Sequence, residues 1–526
     1  MKSAHKSWLL VALLGLGLAT QAAVAAPVFT PPEPALPTNG FFVRNGDVWV
    51  LVGDSITWQN LYTVYLEAFI RARYPGLAFT TVNSGKSGEV YIQGIIRFRD
   101  TIAAYKPTLV TVNYGMNDHA KVFPGEQDFL ENPHSAPQRF VEAVQGTGAR
   151  LLMFSASPLL APADYASDGG KFRLTGQKVD GTTRPEGWRS NPVNRQFADK
   201  LSQLAARNQV PFIDQMAPLQ QIFAATYGRD RVAALRQGLV KLLDTPLTMT
   251  NYKTQGVALS VAVKPFLDNP ALVALLPAPD LDHLLLQWQG LKGAKVEQWE
   301  AFRQFLRGWA AQVDAATPPF IQLSGYTGSE RPTDLIHPNE AGHLCMAGVL
   351  LKLLDADGLV SDVRIDAEKQ VVMSATKAEV RDLKIQKGIV SFKRWDQSLP
   401  FPIDPLARPA LGVDVPTSLG SPHSIFGLSR YLLAVEHLPA GRYEIAIDGE
   451  AVAVTTAEQL TLGFDAGLLD KGPVAAQTLR VLAAVRANTI RAVVGKGEPP
   501  PSTRVEPKVL AEARPVEHVW TVKWLE

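Results

Sequence analysis

Val48-Trp49-Val50-Leu51-Val52-Gly53-Asp54-Ser55-Ile56 is a run of five apolar residues closed by a glycine and followed at once by two polar side chains. A short, continuously apolar run that ends this way reads as a strand buried on both faces of a parallel sheet. Beyond it, Leu61, Val64, Tyr65, Ala68, Phe69 and Ala72 recur at helical spacing until Tyr74-Pro75-Gly76 stops the helix. The same alternation predicts strands at 78–82, 109–113, 151–155 and 212–214, with helices between them, notably at 193–206. Alternating strand and helix is the pattern of an α/β, doubly wound parallel sheet with helices on both faces. Ligands in such sheets bind at the carboxyl ends of the strands, so the polar residues just after each apolar run carry the chemical information.

Outward from this core the rhythm changes twice. Residues 217–316 read as a helical insertion, with helices expected at 281–289 and 299–313 and no strand series. Alternation resumes with a strand at 320–323 and a helix from Pro338 to about Asp355, which Gly358 ends. The composition of 358–526 is then β-like. Strands are expected at 431–435, 442–447 and 451–454, with Asp448-Gly449 as a tight turn and a helix at 473–486. At the other end, Lys2 and Lys6 precede the apolar run Trp8–Ala19, and Ala23-Val24-Ala25 supplies an A-x-A cleavage site. The run is about 12 residues, short of the ~20 that span a bilayer. No cysteine sits near the cleavage point to carry a lipid anchor. The expected organisation is a signal peptide at 1–25, a Pro-rich leader at 26–40 and an α/β domain in two parts, 41–216 and 317–357. The insertion divides those parts, and the C-terminal β-rich region of 358–526 follows them. The expected location is exported, periplasmic or secreted, with no membrane span once the signal is cleaved.

The 526 residues are 46% apolar and 19% charged, which argues against a disordered or fibrous chain. Lys2 and Lys6 account for the whole excess of 52 Lys and Arg over 50 Asp and Glu. A balanced chain without a basic block gives no electrostatic footprint for nucleic acid. One cysteine, Cys345, rules out an internal disulfide framework and any thiolate metal cluster.

Four polar segments stand at element ends: Gly53-Asp54-Ser55, Asn83-Ser84-Gly85-Lys86-Ser87-Gly88, Asn113-Tyr114-Gly115-Met116-Asn117-Asp118 and Asp334-Leu335-Ile336-His337. In a doubly wound sheet all four converge on one edge. Together they hold the inventory of acyl transfer. A serine hydroxyl needs a base to take its proton, and His337 is the natural one because imidazole titrates near neutral pH. Asp334 could hold the other ring nitrogen. The Ser55 and Gly88 backbone N–H groups and the Asn117 amide could donate to an oxyanion, each worth about 3 kcal/mol to the transition state.

In this order the blocks resemble those of the SGNH (GDSL) hydrolase superfamily. The resemblance covers residues 48–118 and 320–355 well and the intervening strands loosely. It implies a flavodoxin-like sheet, Ser55 as nucleophile, Gly88 and Asn117 as oxyanion donors, His337 as base and Asp334 as its orienter. It implies no metal and no cofactor. The long separation of Ser55 from His337 departs from compact members, so pocket shape is not carried over. Leu438–Glu444 and Asp448-Gly449 also look like the β-rich tail of some long exported bacterial members.

Competing readings are weaker. Ser55 alone could simply cap a helix. His337 and His343 stand six apart, about 240° around a helix, which does not make a zinc pair. Gly85-Lys86-Ser87 lacks the earlier glycine of a phosphate loop, because position 80 is Thr80. Ser374-Ala375-Thr376-Lys377 has the S-x-x-K spacing without its companion motifs, and Cys345 reads as a core residue. The expected activity is therefore an exported serine esterase acting on small acyl esters, acetyl above all, of carbohydrate-like molecules. An O-acyltransferase using the same residues and a noncatalytic extracellular binding protein are the alternatives.

Overall fold

The computed structural model describes residues 35–37, 40–118, 129–160, 191–223, 336–413, 427–492 and 507–525, together with Leu323 and isolated helical positions between 226 and 308. Its central strand is β1 (Asp47–Gly53), which runs into a single helical turn, α1 (Ser55–Trp58), and then α2 (Tyr62–Arg73). There follow β2 (Phe79–Gly85), α3 (Tyr91–Asp100), β3 (Leu109–Asn113), α4 (Ala136–Gln145), β4 (Arg150–Phe154), α5 (Asn191–Arg207) and β5 (Phe212–Ile213). The strands lie in the order β2-β1-β3-β4-β5 and every pairing is parallel. This is the flavodoxin-like order, and its switch point falls between β1 and β3.

Side chains of β1 alternate between two cores, as the two-residue strand period requires. Trp49 and Leu51 join Tyr65 and Phe69 of α2 on one face, with Leu344 of α6 (Glu340–Leu353) behind them. Val50 and Val52 join Tyr91 and Phe98 of α3, Phe140 of α4 and Leu201 of α5 on the other. Burial on both faces explains why the strand reads as an unbroken apolar run. The α6 helix is buried around almost its whole circumference and is mostly apolar for a related reason. It packs on α2 and on the 3₁₀ segment Pro405–Gly412, and its residues from Glu340 to Leu351 are buried. Its expected start at Pro338 shifts to Glu340. Asn339 caps the helix, its side chain accepting from the Gly342 N–H at 3.0 Å, and Pro338 stays outside.

The C-terminal residues contain β6 (Leu359–Asp366), β7 (Val371–Thr376), β8 (Ala378–Gln386), β9 (Ile389–Asp396), β10 (Arg430–Glu436), β11 (Arg442–Ile447) and β12 (Glu450–Thr456). After these come α7 (Ala457–Leu462), β13 (Phe464–Asp465), α8 (Pro473–Ala487), β14 (Ile490–Arg491), α9 (Pro507–Ala513) and β15 (His518–Trp524). Two sheets, β13-β10-β6-β7 and β12-β11-β15-β9-β8, enclose one core that includes Val363, Leu433, Phe392, Ile445 and Trp520. The three expected strands fall within β10, β11 and β12. Asp448 and Gly449 both take positive φ, 51° and 83°, as a two-residue hairpin turn needs. The β-rich region is also tied to the α/β sheet. β14 pairs in parallel with the outer edge of β2, and α8 packs on α2.

The signal peptide and most of the leader lie outside the described residues, as do the expected helix at 281–289 and the expected strand at 320–323 apart from Leu323. Of the insertion, residues 217–223 are helical, and so are the described positions between 297 and 308. Among the described residues no helix is long and apolar enough to cross a membrane.

Arg73, at the end of α2, is 1% exposed and donates to the carbonyls of Asp357 and Leu428, both at 3.0 Å. Burial lowers its pKa to about 10. Its guanidinium therefore joins the helix layer to the chain entering β6 and to the chain entering β10. Arg73→Met keeps the stem but leaves both carbonyls without this donor. Urea unfolding should show a loss of about 2–4 kcal/mol. A loss below about 0.5 kcal/mol would mean that the two carbonyls find other partners.

Candidate active site

The carboxyl ends of β1, β2 and β3 are level, with Gly53 opposite Gly85 on one side and Asn113 on the other. The chain leaves β1 through a turn so tight that a Cβ at Gly53 would sit 2.1 Å from Thr57 Oγ1 and 2.9 Å from the Asn113 carbonyl. Asp54 caps α1 by accepting from the Ile56 N–H at 3.0 Å. Ser55 then stands at the first helical position, where its N–H has no acceptor within the helix. Thr57 is locked from behind by the Tyr62 hydroxyl at 2.8 Å, and burial pushes that phenol up to about 12.

His337 reaches this turn from the loop before α6, with Nε2 2.9 Å from Ser55 Oγ. A neutral ring protonated at Nδ1 leaves Nε2 free to accept the serine proton, which is the geometry a serine nucleophile requires. Asp334 lies outside the described residues.

Gly88 lies in the turn after β2 with φ +72°, a left-handed conformation that favours glycine. Asn117 follows β3, is buried, and directs Nδ2 toward the Glu89 carbonyl at 3.3 Å and Asp54 Oδ2 at 3.5 Å. One side-chain amide thus joins the loop before Ser55 to the loop carrying Gly88. Ser55 and His337 are in direct contact, and Asn117 sits where the three strand ends meet.

Two further groups hold this arrangement, and the first of them, Glu89 with Arg97, was not singled out from the sequence. Glu89 and Arg97 form a buried ion pair, Arg97 Nε donating to Glu89 Oε1 at 2.8 Å, while the Tyr114 hydroxyl donates to Glu89 Oε2 at 2.5 Å. The Arg97 guanidinium also binds the Ser84 carbonyl at 2.6 Å and the Ser84 hydroxyl. Burial alone would lower the Arg97 pKa, but its contacts with Glu89 and Tyr114 outweigh that and raise it. The pair fixes both ends of the Gly88 turn, since Ser84 precedes it and Glu89 follows it. The sequence cue was a charge on the apolar face of α3, among Tyr91, Gly94, Ile95 and Phe98. Asp118 is the second group. Its two oxygens accept from the Tyr91 and Gly115 N–H groups, each at 2.9 Å, so it ties the start of α3 to the loop after β3.

Cys345 is buried, and burial pushes its thiol up to about 12. His343 stands in contact with Tyr62 and Gln59. Ser374 lies exposed in β7, and Lys377 just beyond it pairs with Asp357.

Residues 51–237 match the GDSL-like Lipase/Acylhydrolase family. An acetylxylan esterase of Geobacillus stearothermophilus is 22% identical over 203 residues, which are 35% of this chain and 83% of that protein. Among solved structures, a gut microbial diltiazem-metabolizing enzyme shares the fold over 94% of this chain and 100% of its own, with a TM-score of 0.53 and 16% identity. Axe2, an acetylxylan esterase from Geobacillus stearothermophilus, aligns over 34% of this chain and 81% of its own, with a TM-score of 0.26 and 17% identity.

Asp118 sets a pH dependence opposite to that of most carboxylates. Burial, with a smaller push from the Asp54 charge, raises its pKa from 3.8 to about 7 against the pull of its backbone N–H donors. Between those values the folded protein holds a proton that the unfolded chain has released. This contribution to stability is full below the unfolded value and is lost as pH rises through the folded one. Urea midpoints of the parent should fall from pH 5 to pH 8 relative to those of Asp118→Asn. Parallel midpoint curves for the two proteins would contradict the assignment.

Proposed function

The chain belongs to the SGNH (GDSL) hydrolase superfamily and is a serine esterase of that type, and on that premise we propose that it is exported and hydrolyses small acyl esters, acetyl esters above all, of carbohydrate-like alcohols. The observation that carries the mechanism is the 2.9 Å contact between Ser55 Oγ and His337 Nε2 at the carboxyl edge of the sheet.

In this reading His337 takes the Ser55 proton as Oγ attacks the ester carbonyl carbon. The carbonyl oxygen becomes an oxyanion and accepts hydrogen bonds from the Ser55 N–H, the Gly88 N–H and Asn117 Nδ2. Collapse of the tetrahedral intermediate breaks the bond to the alcohol oxygen, and protonated His337 returns its proton to that oxygen. The alcohol leaves, and the acyl group stays on Ser55. His337 then deprotonates a water, which attacks the acyl carbon through a second tetrahedral intermediate. Its collapse releases the carboxylic acid and restores the serine. Asp334 serves as the group that orients His337, a role that rests on the family resemblance. The acetyl and carbohydrate preference is supported by the acetylxylan esterase relative, and export by the charged and apolar residues 2–19 with Ala23-Val24-Ala25.

Ser55→Ala and His337→Ala should each lower kcat on nitrophenyl acetate by on the order of 10⁴-fold. Asn117→Ala should cost about 10²–10³-fold through the lost oxyanion donor. Nitrophenyl acetate should be turned over at least about tenfold better than the octanoate, and acetylated xylooligosaccharides should release free acetate. A preference for the octanoate with no acetate release would remove the acetyl-carbohydrate reading while leaving the serine mechanism standing.

A further inference from the structure

His343 is fully buried in α6, and the catalytic cycle above does not use it. Its ring stacks on Tyr62 at 6.0 Å with 5° between the planes. The Tyr62 backbone N–H donates to Nδ1 at 3.3 Å, which is possible only if Nδ1 carries no hydrogen. The neutral ring therefore bears its hydrogen on Nε2 and donates it to Gln59 Oε1 at 3.2 Å. Burial, and then the proximity of His337, pushes His343 down to about 3, so the ring stays neutral across the working range. With Oε1 claimed, the Gln59 amide has one orientation, and its Nε2 donates to the Pro338 carbonyl at 3.2 Å. A flipped amide would set donor against donor at His343 and oxygen against oxygen at Pro338.

The two ends of this chain of bonds lie beside the two reacting side chains. Pro338 is the residue after His337. Gln59 is bonded to Ser55 through its backbone, its N–H donating to the Ser55 carbonyl at 3.0 Å. The turn that carries Gln59 is itself held from the other side. Asn60, in a left-handed conformation at φ 60°, donates to Thr489 at 3.1 Å and accepts from Asn83 at 2.8 Å. Arg491 of β14 donates to the Trp58 carbonyl at 3.0 Å. Gln59 is thus a strut with a fixed base, one end on the nucleophile turn and the other on the histidine loop.

We infer that Gln59, oriented by His343, is a positioning residue that sets the separation of Ser55 and His337; the inference rests on the serine-esterase reading above. It implies that the C-terminal residues Thr489 and Arg491 support the nucleophile turn at the edge strand beside β2.

The test is steady-state nitrophenyl acetate hydrolysis by the full chain, with thermal melts of every variant. Gln59→Leu keeps the length and removes both side-chain bonds. Gln59→Glu keeps an acceptor for His343 and loses the donor to Pro338. Both should lower kcat by about 10–100-fold with KM within about twofold of the parent, as expected for a misplaced base. His343→Gln can still accept from Tyr62 and donate to Gln59, so it should recover most of the kcat that His343→Phe loses. Cys345→Ala, which opens a cavity in the same helix, should lower the melting temperature and leave kcat unchanged. A folded Gln59→Leu enzyme with kcat within about twofold of the parent would overturn the inference. So would a fall in kcat for Cys345→Ala that matches the fall for His343→Phe, because activity would then only follow helix stability. Retention of turnover in Ser55→Ala would instead overturn the serine-esterase reading, and this inference with it.

Discussion

Gly53, at the end of β1, lies in register with Gly85 of β2 on one side and Asn113 of β3 on the other. Because these three strand ends are level, the loops leaving them emerge side by side, and each carries one residue of the proposed site. The first loop gives Ser55, the second Gly88, the third Asn117. The register in turn depends on β1 being buried on both faces, with Trp49 and Leu51 in one core and Val50 and Val52 in the other. A one-residue slip would exchange the two sets and carry Ser55 away from the neighbouring loops.

Polar groups buried beneath the site convert that alignment into fixed side-chain positions. The Glu89–Arg97 pair closes the Gly88 turn, and Asp118 ties the start of α3 to the loop after β3. Such a pair adds little to stability compared with an apolar replacement, but losing one partner strands a buried charge, typically at 3–5 kcal/mol. What it contributes here is orientation. The site is completed from far along the chain, by His337 in the loop before α6, by His343 within α6 and by the segment that ends in β14. The β-rich residues are accordingly joined to the α/β sheet through β14, which pairs with β2, the neighbour of the strand that leads into Ser55.

Much of this was legible in the sequence because both signals are local. Buried parallel strands read as short apolar runs, and 109–113 matches β3 residue for residue. Ser55 and His337 stood out because each is a reactive side chain at the end of an element. Other parts left weaker signals. The strands β7 and β8 are largely exposed, so their polar sequences lack an apolar rhythm, and β14 is only two residues long. Gln59 carries no sequence cue, since its role arises from two backbone carbonyls and a histidine brought together by folding. His343 was visible only as a polar residue in an otherwise apolar helix. Residue spacing excluded it as half of a zinc pair but could not supply its partners.

The central claim is that the Ser55 hydroxyl, in contact with His337, is the nucleophile. Fluorophosphonate labelling of the protein, with the adduct located by mass spectrometry, tests it most directly. The account predicts a single adduct on Ser55 and no adduct in a folded Ser55→Ala variant. A modified residue elsewhere, or equal labelling of the Ser55→Ala protein, would contradict it.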